Sequence, residues 1–212
     1  MELKLDMIAA APQSLSPGGD RTIALRDARV SAIANLGATR DGYDCIDLSN
    51  NEIQKLDNIP LLPRLKTLIV ANNRISKISA DLEKSLPNLL SLVLTGNNIK
   101  ALSDLVPIFS FSKLERLSLI DNPVIAVPHF REYVAFCLPS LRYLNFCKVT
   151  QKERASCEAF FKSKEGLALI QQNGYLPPAL KQDGLNSKEI LDMVDSATDV
   201  NSLLQLEKKL ME

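Results

Sequence analysis

The chain has 212 residues, 25 Lys and Arg against 25 Asp and Glu, and a formal net charge of zero, which argues against a nucleic-acid binder working through a broad basic field. At 46 % hydrophobic and 24 % charged residues it is a folding chain rather than a disordered one, and no apolar run nears the length of a membrane span. Four cysteines (Cys45, Cys137, Cys147, Cys157) without a CxxC pair, and His129 as the single histidine, leave no expected metal site and point to an intracellular protein with free thiols.

Residues 1–19 begin with mixed charge and no secretory core, and are expected to cap the first strand, with Gly18-Gly19 in a turn. From residue 20 a repeat takes over. Tyr43, Ile46, Leu48, Asn51 and Ile53 fit the template L-x-x-L-x-L-x-x-N-x-L, as do Leu65, Leu68, Val70, Asn73 and Ile75. Leu89, Leu92, Leu94, Asn97 and Ile99 come next, then Leu114, Leu117, Leu119, Asn122 and Val124. A degenerate first copy runs Asp20, Ile23, Leu25, Ala28, Val30, and a last one runs Leu141, Leu144, Phe146 with Val149 in place of Asn. Copies starting at 20, 43, 65, 89, 114 and 141 give steps of 23, 22, 24, 25 and 27 residues, a leucine-rich-repeat period.

Apolar residues two apart, such as Ile46 and Leu48, share one face of a short strand and point into a core. The asparagine amide donates and accepts, so it can satisfy backbone groups that the adjoining turn leaves unpaired. One repeat cannot bury its own stripe, so the copies must stack and both ends need caps. The predicted fold is therefore α/β: a right-handed solenoid over residues 20–154 with a parallel sheet on the concave face, its terminal cap included, plus a helical tail. Between strands, Leu82–Leu86 and the run around Phe136–Leu138 read as helices stopped by Pro87 and Pro139, whereas Asn58–Pro63 holds too much proline for more than a turn.

In a solenoid the residues alternating with the core leucines face outward and usually bind. Here Ala24, Ile69, Val93 and Ile120 form an apolar strip among Ser49, Thr95 and other small polar residues, with Arg26, Asp47 and Arg116 around them. Tyr143, Asn145 and Cys147 extend the same face. An apolar strip with a charged rim suits a protein partner, and suits phosphates poorly. No enzyme signature survives inspection. There is no phosphate-binding glycine loop; His129 follows Pro128 in a solvated loop; Cys45 and Cys147 have no base beside them; Asp41 and Asp44 flank a turn and lack a positioned partner.

Beyond the cap, a helical stretch opens at Thr150 and continues to about Leu169, with Ala159, Phe160 and Leu167 as its apolar positions; residues 155–172 form a helical extension. Its neighbourhood carries Lys148, Lys152, Arg154, Lys162 and Lys164, partly offset by glutamates, so it reads either as a solvated face or as a basic edge able to touch an RNA backbone. A linker over 173–186 contains Tyr175-Leu176-Pro177-Pro178, and Asn186-Ser187-Lys188-Glu189 then caps a helical hairpin or tail over 187–212.

Several segments are more specific than a generic repeat. They are Asn35-Leu36-Gly37-Ala38-Thr39, Ile46 through Ile53, Pro60-Leu61-Leu62, Arg64-Leu65-Lys66-Thr67-Leu68, Leu94 through Asn98, Asn122-Pro123-Val124, and Lys148-Val149 with Lys152-Glu153-Arg154. Over about residues 20–165 the chain resembles the spliceosomal A-prime family of the U2 small nuclear ribonucleoprotein. The resemblance implies a nuclear, non-catalytic splicing protein with no cofactor, no small-molecule substrate and no membrane contact. Its concave sheet would grip a helix of the RNA-recognition domain of the B-double-prime protein, and the heterodimer would bind stem-loop IV of U2 snRNA among other spliceosome proteins. Carried onto this chain, Arg26, Asp47, Ser49, Ile69, Val93, Thr95 and Ile120 would meet the protein partner, and Lys148, Lys152 and Arg154 the RNA backbone. The competing readings are another intracellular repeat scaffold of phosphatase-targeting or axonemal type, with no RNA role, and direct RNA binding by the solenoid alone.

Overall fold

The computed structural model describes residues 1–173; the expected linker and C-terminal hairpin lie outside the described residues. The chain divides into two compact units, Met1–Thr150 and a second beginning at Gln151.

The first unit is built on one sheet. Its strands are β1 (Gln13–Leu15), β2 (Arg21–Ala24), β3 (Cys45–Asp47), β5 (Thr67–Ile69), β7 (Ser91–Val93), β8 (Arg116–Ser118), β9 (Tyr143–Leu144) and β10 (Cys147–Lys148), in that spatial order. A smaller sheet pairs β4 (Lys55–Leu56) with β6 (Lys77–Ile78). From β2 to β9 every neighbour in the large sheet is parallel, because each repeat returns the chain to the same edge one strand further on. The register places Ile23, Ile46, Leu68, Leu92, Leu117 and Leu144 in a single row, none more than 2 % exposed. Leu25, Leu48, Val70, Leu94 and Leu119 form a second buried row. Each such side chain contributes about 1.5–3 kcal/mol by leaving water, which is why strands of three residues persist.

The turn after each strand is held by the repeated asparagine. Asn97 is buried; its Nδ2 donates to the carbonyls of Val70 (3.0 Å) and Leu94 (2.9 Å), and its Oδ1 accepts from the Ile75 N–H at 2.9 Å. Asn73 and Asn122 repeat the pattern, and Asn51 extends it back to Leu25, Ala28 and Val30. Each amide thus ties its own turn to the preceding repeat. The residue before each asparagine is left-handed: Asn50, Asn72, Gly96 and Asp121 have φ between 52° and 67°. Only residues that tolerate this conformation occupy it. At Gly96 a Cβ would also run into the Asn72 side chain.

The convex side varies as expected. It carries α2 (Leu82–Ser85) and α3 (Phe130–Cys137), with no helix over Asn58–Pro63. Three 3₁₀ segments among the described residues, Leu36–Thr39, Leu102–Ser110 and Pro123–Ala126, are additional. Pro107 lies inside the Leu102–Ser110 segment, which goes without that one backbone donor. Tyr133 of α3 is fully buried, edge-on to Phe109 at 5.7 Å.

Both ends of the sheet close with an antiparallel strand. After α1 (Leu5–Ala10), β1 pairs with β2 across a turn in which Gly19 takes φ +85°. At the far end β9 and β10 form a two-residue hairpin, with Asn145 at φ +53° and Phe146 at φ +62°. This corrects the reading of Phe146 as a core position of the last copy: it is 76 % exposed, because the chain reverses before a third inward residue can form.

In the second unit, α4 (Gln151–Phe161) and α5 (Lys164–Asn173) replace the single expected helix. Ser163 interrupts it: its Oγ accepts from the Gly166 N–H at 3.4 Å, starting α5 anew. A side chain at Gly166 would collide with the Phe160 carbonyl, so the glycine permits the close return. Cys157, Phe161, Leu167 and Ile170 are buried, whereas Ala159 is exposed.

Candidate functional site: the sheet face

Side chains alternating with the core leucines stand on the concave face in rows fixed by the register. One row runs Thr22, Cys45, Thr67, Ser91, Arg116, Tyr143; the next runs Ala24, Asp47, Ile69, Val93, Ser118. Asp47, Ile69 and Val93 therefore lie on consecutive strands, with Arg116 one row across. Ser49, Thr95 and Ile120 each come two residues after Asp47, Val93 and Ser118, and are half-buried, as are Ile69 and Val93.

The two ends of this face differ in electrostatics. Near β2, Arg26 donates to the buried Asp47 carboxylate at 2.7 Å, and the other Asp47 oxygen accepts from the Ser49 N–H at 2.9 Å. That carboxylate is already engaged within the chain. Thr95 shares a hydrogen bond with Ser118 at 2.9 Å between their hydroxyls. Near β9, Arg116 is exposed and enters no ion pair among the described residues. Together with Ser91, Val93, Ser118, Tyr143 and Phe146, it borders a cavity of about 220 Å³ floored by Leu92 and Leu117. Phe146 is a face residue that the repeat template does not reveal. The one signal near it is Asn145, a residue that tolerates a left-handed backbone; Phe146 itself gives no turn signal.

Asp44 also needs correction, since it does not lack a partner. Its carboxylate accepts from the Arg21 N–H at 3.0 Å and meets Arg64 and Lys66 at 3.2 Å each, while Asp41 accepts from the Arg64 N–H. The backbone donor and the two cations outweigh the cost of burial and hold the Asp44 carboxyl down at about 2. This cluster clamps three repeats at the edge of the sheet and is structural.

The remaining candidates are dispersed. Lys148 is exposed on β10; Lys152 is exposed and Arg154 half-buried on α4, in the second unit. Cys147 is exposed, whereas Cys45 is buried and its thiol is pushed up by desolvation. His129 is exposed at the start of α3 with φ +58°. Among the described residues no cluster of His, Cys, Asp and Glu could hold a metal ion, and no helix is long and apolar enough to cross a membrane.

The chain matches a family model described as Leucine-rich repeat over residues 1–173. It is 46 % identical over 172 residues to a probable U2 small nuclear ribonucleoprotein A' of Drosophila melanogaster, covering 81 % of this chain and 65 % of that relative, just under two thirds of its length. The U2 small nuclear ribonucleoprotein A' of Mus musculus is 38 % identical over 218 residues, covering 98 % of this chain and 86 % of the relative. Among solved structures, a chain of the Drosophila melanogaster SNF/U2A' complex superposes with a TM-score of 0.79 at 47 % identity, covering 81 % of this chain and 99 % of that one.

Proposed function

The chain belongs to the leucine-rich-repeat family of U2 small nuclear ribonucleoprotein A' proteins, and from that premise we propose that it is a non-catalytic component of the splicing machinery, working in the nucleus through its concave face. The face receives a helix of an RNA-recognition domain of the B-double-prime class, and the pair binds stem-loop IV of U2 snRNA. The observation that carries this reading is the half-buried Ile69 and Val93 strip, rimmed by Arg26, Asp47 and Arg116, on a fold similar to that of a solved chain of the SNF/U2A' complex. Interfaces lose charge at the centre and keep it at the rim, and a phosphate-binding face would need the opposite.

Arg26, Ser49, Thr95 and Ile120 flank the strip, while Asp47 acts through Arg26, whose guanidinium it orients. Lys148, Lys152 and Arg154 are the proposed contacts to the RNA backbone, adding affinity only once the partner has brought the RNA near.

A gel-shift titration of the stem-loop at fixed salt, with the chain alone, the RNA-recognition protein alone and both together, tests the proposal. The expected result is silence alone and a tightened or supershifted complex together. Val93→Asp or Ile69→Glu should abolish that effect with the fold intact. Reversing the charges of Lys152 and Arg154 should weaken only the ternary complex. A chain that folds but changes nothing refutes the RNA role and leaves a protein scaffold of another kind.

A further inference from the structure

Phe146 combines three features that folding alone does not explain. It sits at the second central position of a two-residue hairpin turn with φ +62°, where glycine is the unstrained choice and a bulky side chain is disfavoured. The strain is not repaid by packing, because the ring is 76 % exposed. And the ring stands beside Tyr143, itself 43 % exposed, at the border of the 220 Å³ cavity floored by Leu92 and Leu117. Strain of this kind persists where a side chain must be presented.

The charge at the same corner is equally specific. Arg116 lies between Ser91 and Tyr143 in its row and lines the same cavity, but has no carboxylate partner among the described residues. Arg26, at the other end of the face, has Asp47 at 2.7 Å.

We infer that Phe146, Tyr143 and Arg116 form the anchor pocket of the concave face, taking one large apolar side chain from a helix of the protein partner, with a carboxylate of the same helix meeting Arg116. The inference rests on the proposed role of the concave face and adds the place where its binding strength is concentrated. Buried aromatic and arginine anchors dominate protein interfaces, while surrounding contacts mainly exclude water. The outward side chains that line the cavity are Ser91, Val93, Arg116, Ser118, Tyr143 and Phe146, with Arg116 as their single cation. That is too little positive charge for a phosphate backbone, which favours an apolar anchor from a protein; stacking on RNA is the competing occupant.

The test is calorimetric titration of the full chain with the RNA-recognition protein, alongside chemical denaturation. Phe146→Gly should weaken binding at least tenfold while the unfolding midpoint stays the same or rises. Arg116→Glu should weaken it comparably, and Arg116→Lys much less. If Phe146→Gly binds within twofold of the parent while Val93→Asp does not bind, the anchor is refuted and the concave-face reading stands. If neither variant changes binding, both fall. A lower midpoint for Phe146→Gly would make the ring structural. Loss of affinity for the isolated stem-loop alone would assign the pocket to RNA, and loss of self-association in sedimentation would assign it to a second copy; either overturns the inference.

Discussion

Asn122 and Asn145 sit on successive turns of the solenoid and use the same amide differently. Asn122 is buried, donates to the Leu94 and Leu119 carbonyls at 2.8 and 3.0 Å, and accepts from Ile99. Asn145 is half-buried, takes a left-handed backbone, and accepts the Leu119 N–H at 2.7 Å in place of the next ladder carbonyl. In the interior the side chain locks one repeat onto the last; at the end it finishes the sheet and lets the chain reverse. The left-handed position before each repeated asparagine is Asn, Asp or Gly, while the terminal turn presents an aromatic ring. Stability is invested in the middle of the stack, and presentation is left to its end.

The sharpest way to break the comparison is Asn97→Ala. It strands the Ile75 N–H in a buried site and takes one of two amide donors from each of the Val70 and Leu94 carbonyls, which keep Asn73 and Asn122. With about 1–3 kcal/mol for the orphaned group and about 1 kcal/mol for each further lost bond, it should cost on the order of 4 kcal/mol in chemical denaturation. Leu92→Ala, at a fully buried position, should cost about 2–5 kcal/mol, since the flanking strands cannot collapse onto the gap. A loss well under 1 kcal/mol would mean that the register is wrong. Gly96→Ala forces a Cβ into the left-handed interior position against Asn72 and should cost about 1–2 kcal/mol. Asn145→Ala removes one half-exposed hydrogen bond and should cost about 1 kcal/mol; a loss matching that of Asn97→Ala would erase the contrast.

The Asp44 cluster predicts a pH signature. Its carboxyl is held at about 2 rather than at the ordinary 3.8, so the native state favours its charged form. The stabilisation is complete above about pH 4 and disappears as the pH falls from there toward 2. Asp44→Asn should flatten that acid limb in a denaturation series; an unchanged limb would show that other carboxylates set it.

The leucine rows are legible because a period of two within each strand and of 22–27 between strands leaves one stacking solution for residues such as Leu68, Leu92 and Leu117. The face residues Ile69 and Val93 follow from the same phase. The partners of Asp44 escape a reading of the sequence by motif, although a signal for them is present. Asp20, Asp44 and Lys66 are one repeat apart, so the stacking that aligns the leucines also brings their charges together, with Lys66 3.3 Å from Asp20. Phe146 is hidden because the template asks for an apolar residue there and has no term for where stacking ends. The break at Ser163 is hidden because the residues on either side, Phe161 and Leu167, preserve an apolar pattern across it.

The antiparallel strands at both edges also set a length. With six parallel strands between them, the usable trough spans five strand spacings, about 24 Å at roughly 4.8 Å each. A helix lying across the strands advances about 1.5 Å per residue, so some 16 residues, about four turns, fill the trough end to end. The hairpins therefore act as stops on a ruler: they fix how long a docked helix can be before its ends leave the parallel strands.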